Sequence, residues 1–323
     1  MKAMSENCEP GQCRIQMFDL NGKDTGATGV PGMNPADGFL IRVADNHRTW
    51  HILLDAGKKG QGTAVIVPWL RKMGITRLDA IILSHFHYDH FGGMIDLLVD
   101  SELEVEEIIY APIGEELIER GDAGELNSSL WQECRLAMEG SGCRLTALDG
   151  RHLGHRFAFG DKLGLTVLAV PDALAWADEP VVNLNNLNVI LLLDYGRFTA
   201  LFPGDCGAAQ TAALLEPGCR ERIANICLLK AAHHGGDEST TPELIELCNP
   251  RLVWIPCNET VVEHRPSFVE NLHRFTSRGA RVVRGDWDYD AELTTDGVMV
   301  VCNTHGYGNM KSTYSFKITG DHE

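Results

Sequence analysis

The stretch of residues 79–93 reads DAIILSHFHYDHFGG. Its first part is a short apolar run, typical of a buried strand, and its glycines open a predicted helix. Three histidines and an aspartate lie between these elements, at His85, His87, Asp89 and His90. Because side chains alternate along an extended chain, His85 and His87 share one side, and the following turn brings the other two toward the same point. Imidazole and carboxylate groups are ligands of zinc, manganese and iron, so the stretch predicts a metal site.

The composition is that of a globular protein with a sizeable core. Hydrophobic residues make up 44% of the 323 residues and charged residues 23%, which excludes a disordered or collagen-like chain. Because the whole chain has only 13 histidines, a chance histidine-rich surface loop is the weaker explanation of the cluster above. The ten cysteines show no zinc-ribbon spacing, and reduced, structural thiols are expected.

The sequence contains no sign of a membrane segment. No apolar stretch approaches the ~20 residues of a membrane span, and the first residues, MKAMSENCEPGQ, lack the apolar core of a signal peptide. A cytoplasmic protein without a membrane partner is therefore expected. The formal net charge is −17. The negative electrostatic field of this charge repels phosphate polyanions unless bound cations offset it locally. Nucleic acid is therefore a disfavoured, though not excluded, substrate.

Hairpins and alternating elements predict a layered α/β protein. Two strand pairs, 38–43 with 50–55 and 189–194 with 198–202, are each joined by a short turn. In the last third of the chain, strands alternate with helices. This arrangement favours mixed sheets with helices on the outside.

Three later segments offer further metal ligands. Asp205 follows the strand 198–202 in a Pro-Gly-Asp sequence, where it could equally cap the alanine-rich helix that comes next. His233 and His234 end another strand just before two glycines, a position that favours a binding site over a structural role. His264 stands just ahead of a predicted helix, and an exposed loop histidine is its alternative interpretation.

The His-x-His-x-Asp-His run after an apolar strand resembles the metallo-β-lactamase superfamily. The wider pattern resembles one branch of it, the domain related to the competence protein ComEC. The matching segments are 38–41, 53–57, 185–188, 195–196, 203–205 and 229–235. The resemblance covers about residues 36–285. It implies an α/β (α+β) fold, a four-layer αββα sandwich with the metal site on loops at one sheet edge.

The resemblance also implies two divalent metal ions, for which zinc is expected and manganese and iron are the alternatives. The ligands would be His85, His87, Asp89, His90, Asp205 and one of His233 or His234. His85 and His87 would face one ion, and Asp89 and His90 would face the second. The later aspartate would bridge the ions, and one of the paired histidines would complete the second shell.

The sequence departs from many superfamily hydrolases at one point. They place another histidine between the first cluster and the bridging aspartate, whereas this chain has Asn185, Asn186 and Asn188 there. The ComEC-like branch also carries asparagine at this place. The first metal site is therefore expected to be weaker, more exchangeable or filled only with substrate.

Residues 1–323 are expected to form a single metallo-β-lactamase-like domain with its core at about 36–285. Residues from about 111–165 match the family least and join its two metal-binding parts, so they are the expected substrate cover. Residues 302–323 are expected to be a C-terminal tail.

The predicted function is metal-dependent hydrolysis by a dinuclear metal-bound hydroxide. A phosphodiester is the expected substrate, either nucleic acid or a smaller phosphoester. In this reaction Asp89 would orient the attacking water, and His264 would donate a proton to the leaving group. The alternatives are a hydrolase of a carbonyl substrate (ester, lactone or amide) and a non-catalytic metal-binding protein.

Overall fold

Two β-sheets packed face to face form the centre of the protein, and helices cover both outer faces. This computed structural model describes residues 8–20, 35–100, 102–122, 126–236, 239–306 and 310–319. The expected four-layer αββα sandwich is confirmed.

Most strands of the described ranges belong to two large mixed sheets. In chain order the strands are β1 (Cys13–Met17), β2 (Phe39–Ala44), β3 (Thr49–Leu54), β4 (Arg77–Leu78), β5 (Ala80–Ile82), β6 (Glu104–Val105), β7 (Glu107–Tyr110), β8 (Arg144–Ala147), β9 (Arg156–Phe159), β10 (Leu163–Ala169), β11 (Ile190–Tyr195), β12 (Phe198–Phe202), β13 (Leu228–Lys230), β14 (Leu252–Ile255), β15 (Arg281–Arg284), β16 (Ala291–Thr295), β17 (Met299–Gly306) and β18 (Met310–Lys317). Nine form one sheet in the order β18-β17-β16-β1-β2-β3-β5-β7-β8, and seven form the other in the order β15-β14-β13-β12-β11-β10-β9. The short strands β4 and β6 pair with each other.

Helices connect the strands and cover the outer faces of the sheets. In chain order they are α1 (Val67–Lys72), α2 (Tyr88–Val99), α3 (Glu115–Gly121), α4 (Asn127–Ser141), α5 (Ala208–Leu214), α6 (Arg220–Ile223), α7 (Pro242–Cys248), α8 (Glu259–His264), α9 (Pro266–Ser277) and α10 (Gly285–Asp288). Single helical turns of other types occur at Gly62–Ile66, Gly150–His152, Ala173–Trp176, Leu184–Asn186 and Ala232–Gly235. None of the helices in the described ranges combines the length and the apolar character that a bilayer crossing requires.

Alternation along the strands separates the apolar layers. Along β2, Phe39 and Ile41 belong to the core between the sheets, whereas Leu40 between them packs among the helices outside. The central core contains Trp254 of β14, which is fully buried and stacks on Phe39 with ring centroids 6.3 Å apart. Successive side chains of a strand point to opposite faces of the sheet. A sheet that is covered on both sides therefore needs apolar residues on both faces of its strands.

Parallel strands determine where the polar loops lie. β3, β5 and β7 run parallel in the nine-stranded sheet, and β12, β13 and β14 run parallel in the seven-stranded sheet. The loops after β5, β12 and β13 carry the histidine cluster, Asp205 and the paired histidines. Because the carboxyl ends of parallel strands meet at one edge of a sheet, the fold gathers these segments.

Two glycines let α2 pack directly on the loop after β3. A Cβ atom at Gly93 would lie 2.0 Å from the Ala56 carbonyl oxygen, and one at Gly92 would lie 2.5 Å from the Lys59 nitrogen. No other residue fits at these distances, so the close approach requires glycine. The Ala56 N–H donates to the carbonyl of His90 at 2.7 Å. The start of α2, which carries His90, is thereby fixed against the end of β3.

The structure agrees with the predicted hairpins and extends the predicted core at both ends. β2 with β3 and β11 with β12 are antiparallel neighbours, as expected.

β1 pairs with β2 and β16, so the nine-stranded sheet reaches outside residues 36–285. Residues 302–323 were expected to be a tail, but they contribute to β17 and β18 of this sheet, while 320–323 lie outside the described ranges. The reason is that Val300 and Phe316 join the central core, which gives these strands an apolar face to bury.

We expect Trp254→Ala to lower the free energy of unfolding by about 3–5 kcal/mol, because it removes a buried ring and leaves a cavity between the sheets. Chemical denaturation followed by circular dichroism measures this change. Leu136→Ala is the control, since Leu136 is 63% exposed on α4 and its truncation should change stability by less than about 0.5 kcal/mol. Equal effects of the two substitutions would contradict the layered core.

Candidate metal centre

The histidine cluster lies between the end of β5 and the start of α2. His85 and His90 are fully buried, with ring centroids 4.1 Å apart. His85 Nε2 lies 2.9 Å from His87 Nδ1, and both His87 and Asp89 line a cavity. The structure therefore brings together the four side chains that the sequence places at one point.

Asp205, after β12, connects this cluster to the other sheet. Its Oδ2 atom lies 3.3 Å from His90 Nε2 and 3.1 Å from His234 Nε2. Its Oδ1 atom accepts a hydrogen bond from Lys230 Nζ at 2.7 Å. The helix-cap interpretation of Asp205 is wrong, because the N-cap residue of α5 is Gly207. The buried carboxylate instead faces the histidines.

The two paired histidines have different positions. Both have a left-handed backbone, with φ of 45° at His233 and 53° at His234, a strained conformation that is typical of functional sites. His234 is 2% exposed and places Nε2 near Asp205, while its Nδ1–H donates to the Pro256 carbonyl at 2.8 Å. His233 lines the cavity and contacts Arg265. His234 is thus the member of the pair whose ring nitrogen reaches the carboxylate.

Asp55, just after β3, orients the cluster. Its carboxylate accepts hydrogen bonds from the Ser84 N–H at 2.8 Å and from the Ser84 hydroxyl at 2.7 Å. It also lies 2.8 Å from His90 Nδ1. An Nδ1–H that donates to Asp55 leaves the lone pair of His90 on Nε2, the atom that faces Asp205. Sequence reasoning matched the segment 53–57 but gave Asp55 no role, although an aspartate that directly follows a buried strand was an available signal.

Asp37 and Lys230 form a buried ion pair beside these ligands. Lys230 Nζ lies 2.6 Å from Asp37 Oδ2 and donates to the Gly204 carbonyl at 2.7 Å. Asp37 Oδ1 lies 3.5 Å from His234 Nδ1. Sequence reasoning missed Asp37, because it is a single acid before a strand with no neighbouring ligand to mark it.

Four buried carboxylates share this region with one buried ammonium group. Asp37, Asp55, Asp89 and Asp205 are each more than nine-tenths buried, and so is Lys230. Buried negative charge in excess is costly unless a cation compensates it. Divalent cations bound by imidazole and carboxylate groups provide that compensation, so the residues present fit a metal centre.

Four groups of three side chains in the described residues place their ligand atoms within 4.8 Å of one another. Two of these groups contain Asp37, which forms an ion pair with Lys230. In the other two, a buried ring nitrogen, Nε2 of His90 or of His234, makes no hydrogen bond with the described residues, as expected of a metal ligand. The first of these two groups consists of His85, His90 and Asp205. The second consists of Asp89, His90 and His234.

Burial and neighbouring charges determine the protonation of the cluster. Burial, reinforced by His90, holds the pKa of His85 well below its usual range, so His85 is a neutral imidazole. Burial alone would lower the pKa of His90, but the surrounding carboxylates, led by Asp205, outweigh burial and hold this pKa well above its usual range. A metal ion that binds Nε2 would therefore have to displace a proton from this nitrogen. Burial alone would raise the pKa of the Asp205 carboxyl, but His234 and Lys230 hold it well below its usual range. The Asp205 carboxylate therefore stays ionised.

The three asparagines at the place of the missing histidine differ in position. Asn188 is fully buried and its Oδ1 accepts the Asp205 N–H at 3.0 Å. Asn186 Oδ1 accepts the Ala209 N–H at 3.3 Å. Asn185 lines the cavity, and its buried Oδ1 makes no hydrogen bond with the described residues. Asn185 is thus the one of the three that is placed to contact a ligand in the cavity.

The cavity beside the cluster has a volume of about 460 Å³. Residues 176–185 contribute several of its lining side chains. Of residues 111–165, which were expected to cover the substrate, the described lining contains only Gly121. The reason is that α3 and α4 bury their apolar side chains, such as Leu130 and Trp131, against the nine-stranded sheet.

The segment before the last long helix is itself helical. Glu259–His264 forms α8, and α9 begins at Pro266, as expected. The side chain of His264 lies outside the described part of the structure, so its role as a proton donor stays a prediction. Its neighbour Arg265, to which the sequence analysis gave no role, lines the cavity.

Comparison with known proteins identifies relatives of this chain. A family model described as "Beta-lactamase superfamily domain" matches residues 49–221, which is more than half of the chain. ComE operon protein 3 of Bacillus subtilis (strain 168) is 23% identical over 290 residues, which cover 86% of this chain and 32% of that protein. The chain therefore spans about a third of the length of this curated relative. These matches confirm the resemblances expected from the histidine motif and the segments around it.

Solved structures share the fold at low sequence identity. The Zn(2+)-bound PqqB from Methylobacterium extorquens has a TM-score of 0.51 and 14% identity, over 87% of this chain and 99% of that chain. Igni18, described as a novel metallo hydrolase from the archaeon Ignicoccus hospitalis KIN4/I, has a TM-score of 0.48 and 12% identity, over 94% and 100%. At 14% identity, the similarity to PqqB concerns the fold alone.

We expect Asp205→Asn to reduce the metal retained after dialysis from about two ions per chain to one or none, because an amide lacks the bridging charge. Inductively coupled plasma mass spectrometry measures the metal content, and circular dichroism checks that the variant is folded. The control is Asp194→Asn on β11, where the acid pairs with Arg156 at 2.6 Å. A folded Asp205→Asn protein with undiminished metal would show that this carboxylate is not a ligand.

Proposed function

Because the chain belongs to the β-lactamase superfamily and is a metal-dependent hydrolase with the metallo-β-lactamase fold, we propose that it hydrolyses a small phosphodiester at a dinuclear metal centre. The observation that carries the proposal is a pair of neighbouring ligand groups with the Asp205 carboxylate beside both. One contains His85 and Asp205, and the other contains Asp89 and His234. Asp205 Oδ2 lies 3.3 Å from His90 Nε2 and 3.1 Å from His234 Nε2. A carboxylate in this position can contact two ions about 3.5–4 Å apart, whereas the single Nε2 lone pair of His90 can bind one of them.

The residues of the chain hold and orient the centre. The proposed ligands are His85, His87, Asp89, His90, Asp205 and His234, with zinc as the expected metal and manganese or iron as alternatives. When bound, the ions would lower the pKa of a coordinated water and stabilise charge on the attacked group. Asp55 and the Pro256 carbonyl hold two of the imidazoles so that their Nε2 atoms face Asp205. The Asp89 carboxylate lines the cavity, where it can accept a proton of the attacking water and orient it.

The size of the cavity and the charge of the protein favour a small phosphodiester over a polynucleotide. A volume of about 460 Å³ lies within the range of small-molecule sites. A DNA duplex would have to bind outside the cavity, against a net charge of −17. Bound divalent cations would offset the acids of the site locally, so the site could accommodate a single phosphodiester charge.

We expect the zinc- or manganese-loaded protein to hydrolyse bis(p-nitrophenyl) phosphate, to lose this activity after chelation and to recover it when metal returns. The measurement is kcat/KM on this diester, on single- and double-stranded DNA, and on a lactone series. The small diester should be the best of these substrates. A preference for lactones would favour the carbonyl alternative, and full metal content without any hydrolysis would favour a non-catalytic metal-binding protein.

His264→Ala tests the proposed proton donor. With a poor alkoxide leaving group, turnover should fall about 100-fold, whereas p-nitrophenolate needs little protonation and should be affected much less. Metal content should not change. The control is His273→Ala, which truncates an exposed histidine on α9 and should leave both rates unchanged. Equal losses with both leaving groups would argue against a proton donor, and loss of metal would make His264 a ligand.

A further inference from the structure

Arg265 is the single arginine or lysine among the described residues that line the cavity. It lies between α8 and α9, as the C-cap residue of the first helix and the N-cap residue of the second. Its Nη1 group donates to the His233 carbonyl at 2.8 Å, and its Nη2 group lies 3.3 Å from His233 Nε2. A guanidinium carries five N–H donors, so the pairing with His233 does not by itself exhaust them.

The contact with Arg265 also determines the state of His233. Because arginine only donates, His233 Nε2 must be the acceptor, which makes this imidazole neutral. His233 therefore adds no positive charge to the cavity, and it holds the guanidinium that does.

Another part of the cavity lining is apolar. Trp176, Val181 and Val182 contribute to it, and Val181 is 72% exposed. The segment is tied to α3, because Arg120 Nη1 donates to the Ala177 carbonyl at 3.0 Å. An apolar wall that is held in place in the same cavity as a cation suits a ligand that has both an anionic and an apolar part.

We propose that this cavity is a substrate subsite for a phosphodiester with an apolar or aromatic ester group. Arg265 binds a non-bridging phosphate oxygen, and Trp176 with Val181 packs against the ester group. The inference rests on the proposed function and specifies its substrate class. The planar guanidinium matches phosphate oxygens with charge-assisted hydrogen bonds that a neutral ester cannot accept as strongly. Arg265 thus sets the preference for anionic over neutral substrates, and the indole ring favours an aromatic ester group.

Arg265→Gln tests the anionic half of the subsite. It should raise KM for bis(p-nitrophenyl) phosphate about tenfold or more, with less than about a twofold change for p-nitrophenyl acetate, a neutral ester with the same leaving group. Arg265→Lys should recover part of the loss. The matched control is Arg274→Gln, since Arg274 lies on α9 and pairs with Glu270. Equal KM changes for the charged and the neutral ester would overturn the role of Arg265.

Trp176→Ala tests the apolar half. It should raise KM for bis(p-nitrophenyl) phosphate several-fold and leave KM for methyl p-nitrophenyl phosphate nearly unchanged, because the methyl ester offers little surface to the indole ring. Leu174→Ala, at an 87% exposed position of the same segment, is the control. Equal effects on the two diesters would remove Trp176 from the subsite.

A binding measurement separates the subsite from the reaction. Isothermal titration of the metal-loaded wild type with phenylphosphonate should give a Kd at least about ten times lower than that of Arg265→Gln at equal metal content. Equal affinities, or no binding of phenylphosphonate by the wild type, would overturn the subsite. If the wild type hydrolyses no phosphodiester but its phenylphosphonate affinity still depends on Arg265, the proposed reaction fails and the subsite stands.

Discussion

Asp205 is buried between Lys230 and two histidines, and this arrangement holds the candidate ligands of both sheets together. In a medium of low dielectric, each of these charges is tolerated only beside a partner. Lys230, at the end of β13, joins Asp205 of its own sheet to Asp37, which precedes β2 of the other sheet. One ammonium group thus fixes the two sheets against each other at the edge where the candidate ligands lie. The remaining negative charge is what makes this edge suited to divalent cations.

Local backbone features follow from this arrangement. The glycines at 92 and 93 let the start of α2 reach the loop after β3, which puts His90 within reach of Asp55 and Asp205. The two consecutive left-handed residues after β13 separate the paired histidines, so that the His234 ring lies beside Asp205 and the His233 ring contacts Arg265. Strain of this kind is of order 1–3 kcal/mol per residue and persists only where the surroundings hold it. Here the hydrogen bonds to the Pro256 carbonyl and from Arg265 hold the two rings.

The sequence predicts those parts of the site that lie close together in the chain. The run from His85 to His90, the strand before it and both hairpins depend on local periodicity, and these elements are found where expected. The choice between His233 and His234 depends on backbone angles that no side-chain pattern encodes. Asp37 and Arg265 are single charged residues whose importance arises only when distant segments meet, so the sequence gives no local signal for them. The described part of residues 111–165 contributes little to the cavity lining for a related reason, because the apolar residues of α3 and α4 are committed to the core. The role of this segment as a substrate cover stays a prediction.

The centre and the cavity together favour a substrate with one negative charge and an apolar part. Anomalous diffraction at the zinc edge, from crystals of the zinc-loaded protein, tests the metal centre most directly. Two peaks are expected about 3.5–4 Å apart, each about 2.0–2.3 Å from imidazole nitrogen or carboxylate oxygen atoms of the proposed ligands. Asp205 should contact both ions and Lys230 neither. A zinc peak beside Asp37, at the position of the Lys230 ammonium group, would contradict the proposed centre. Zinc bound only on the surface would contradict it as well.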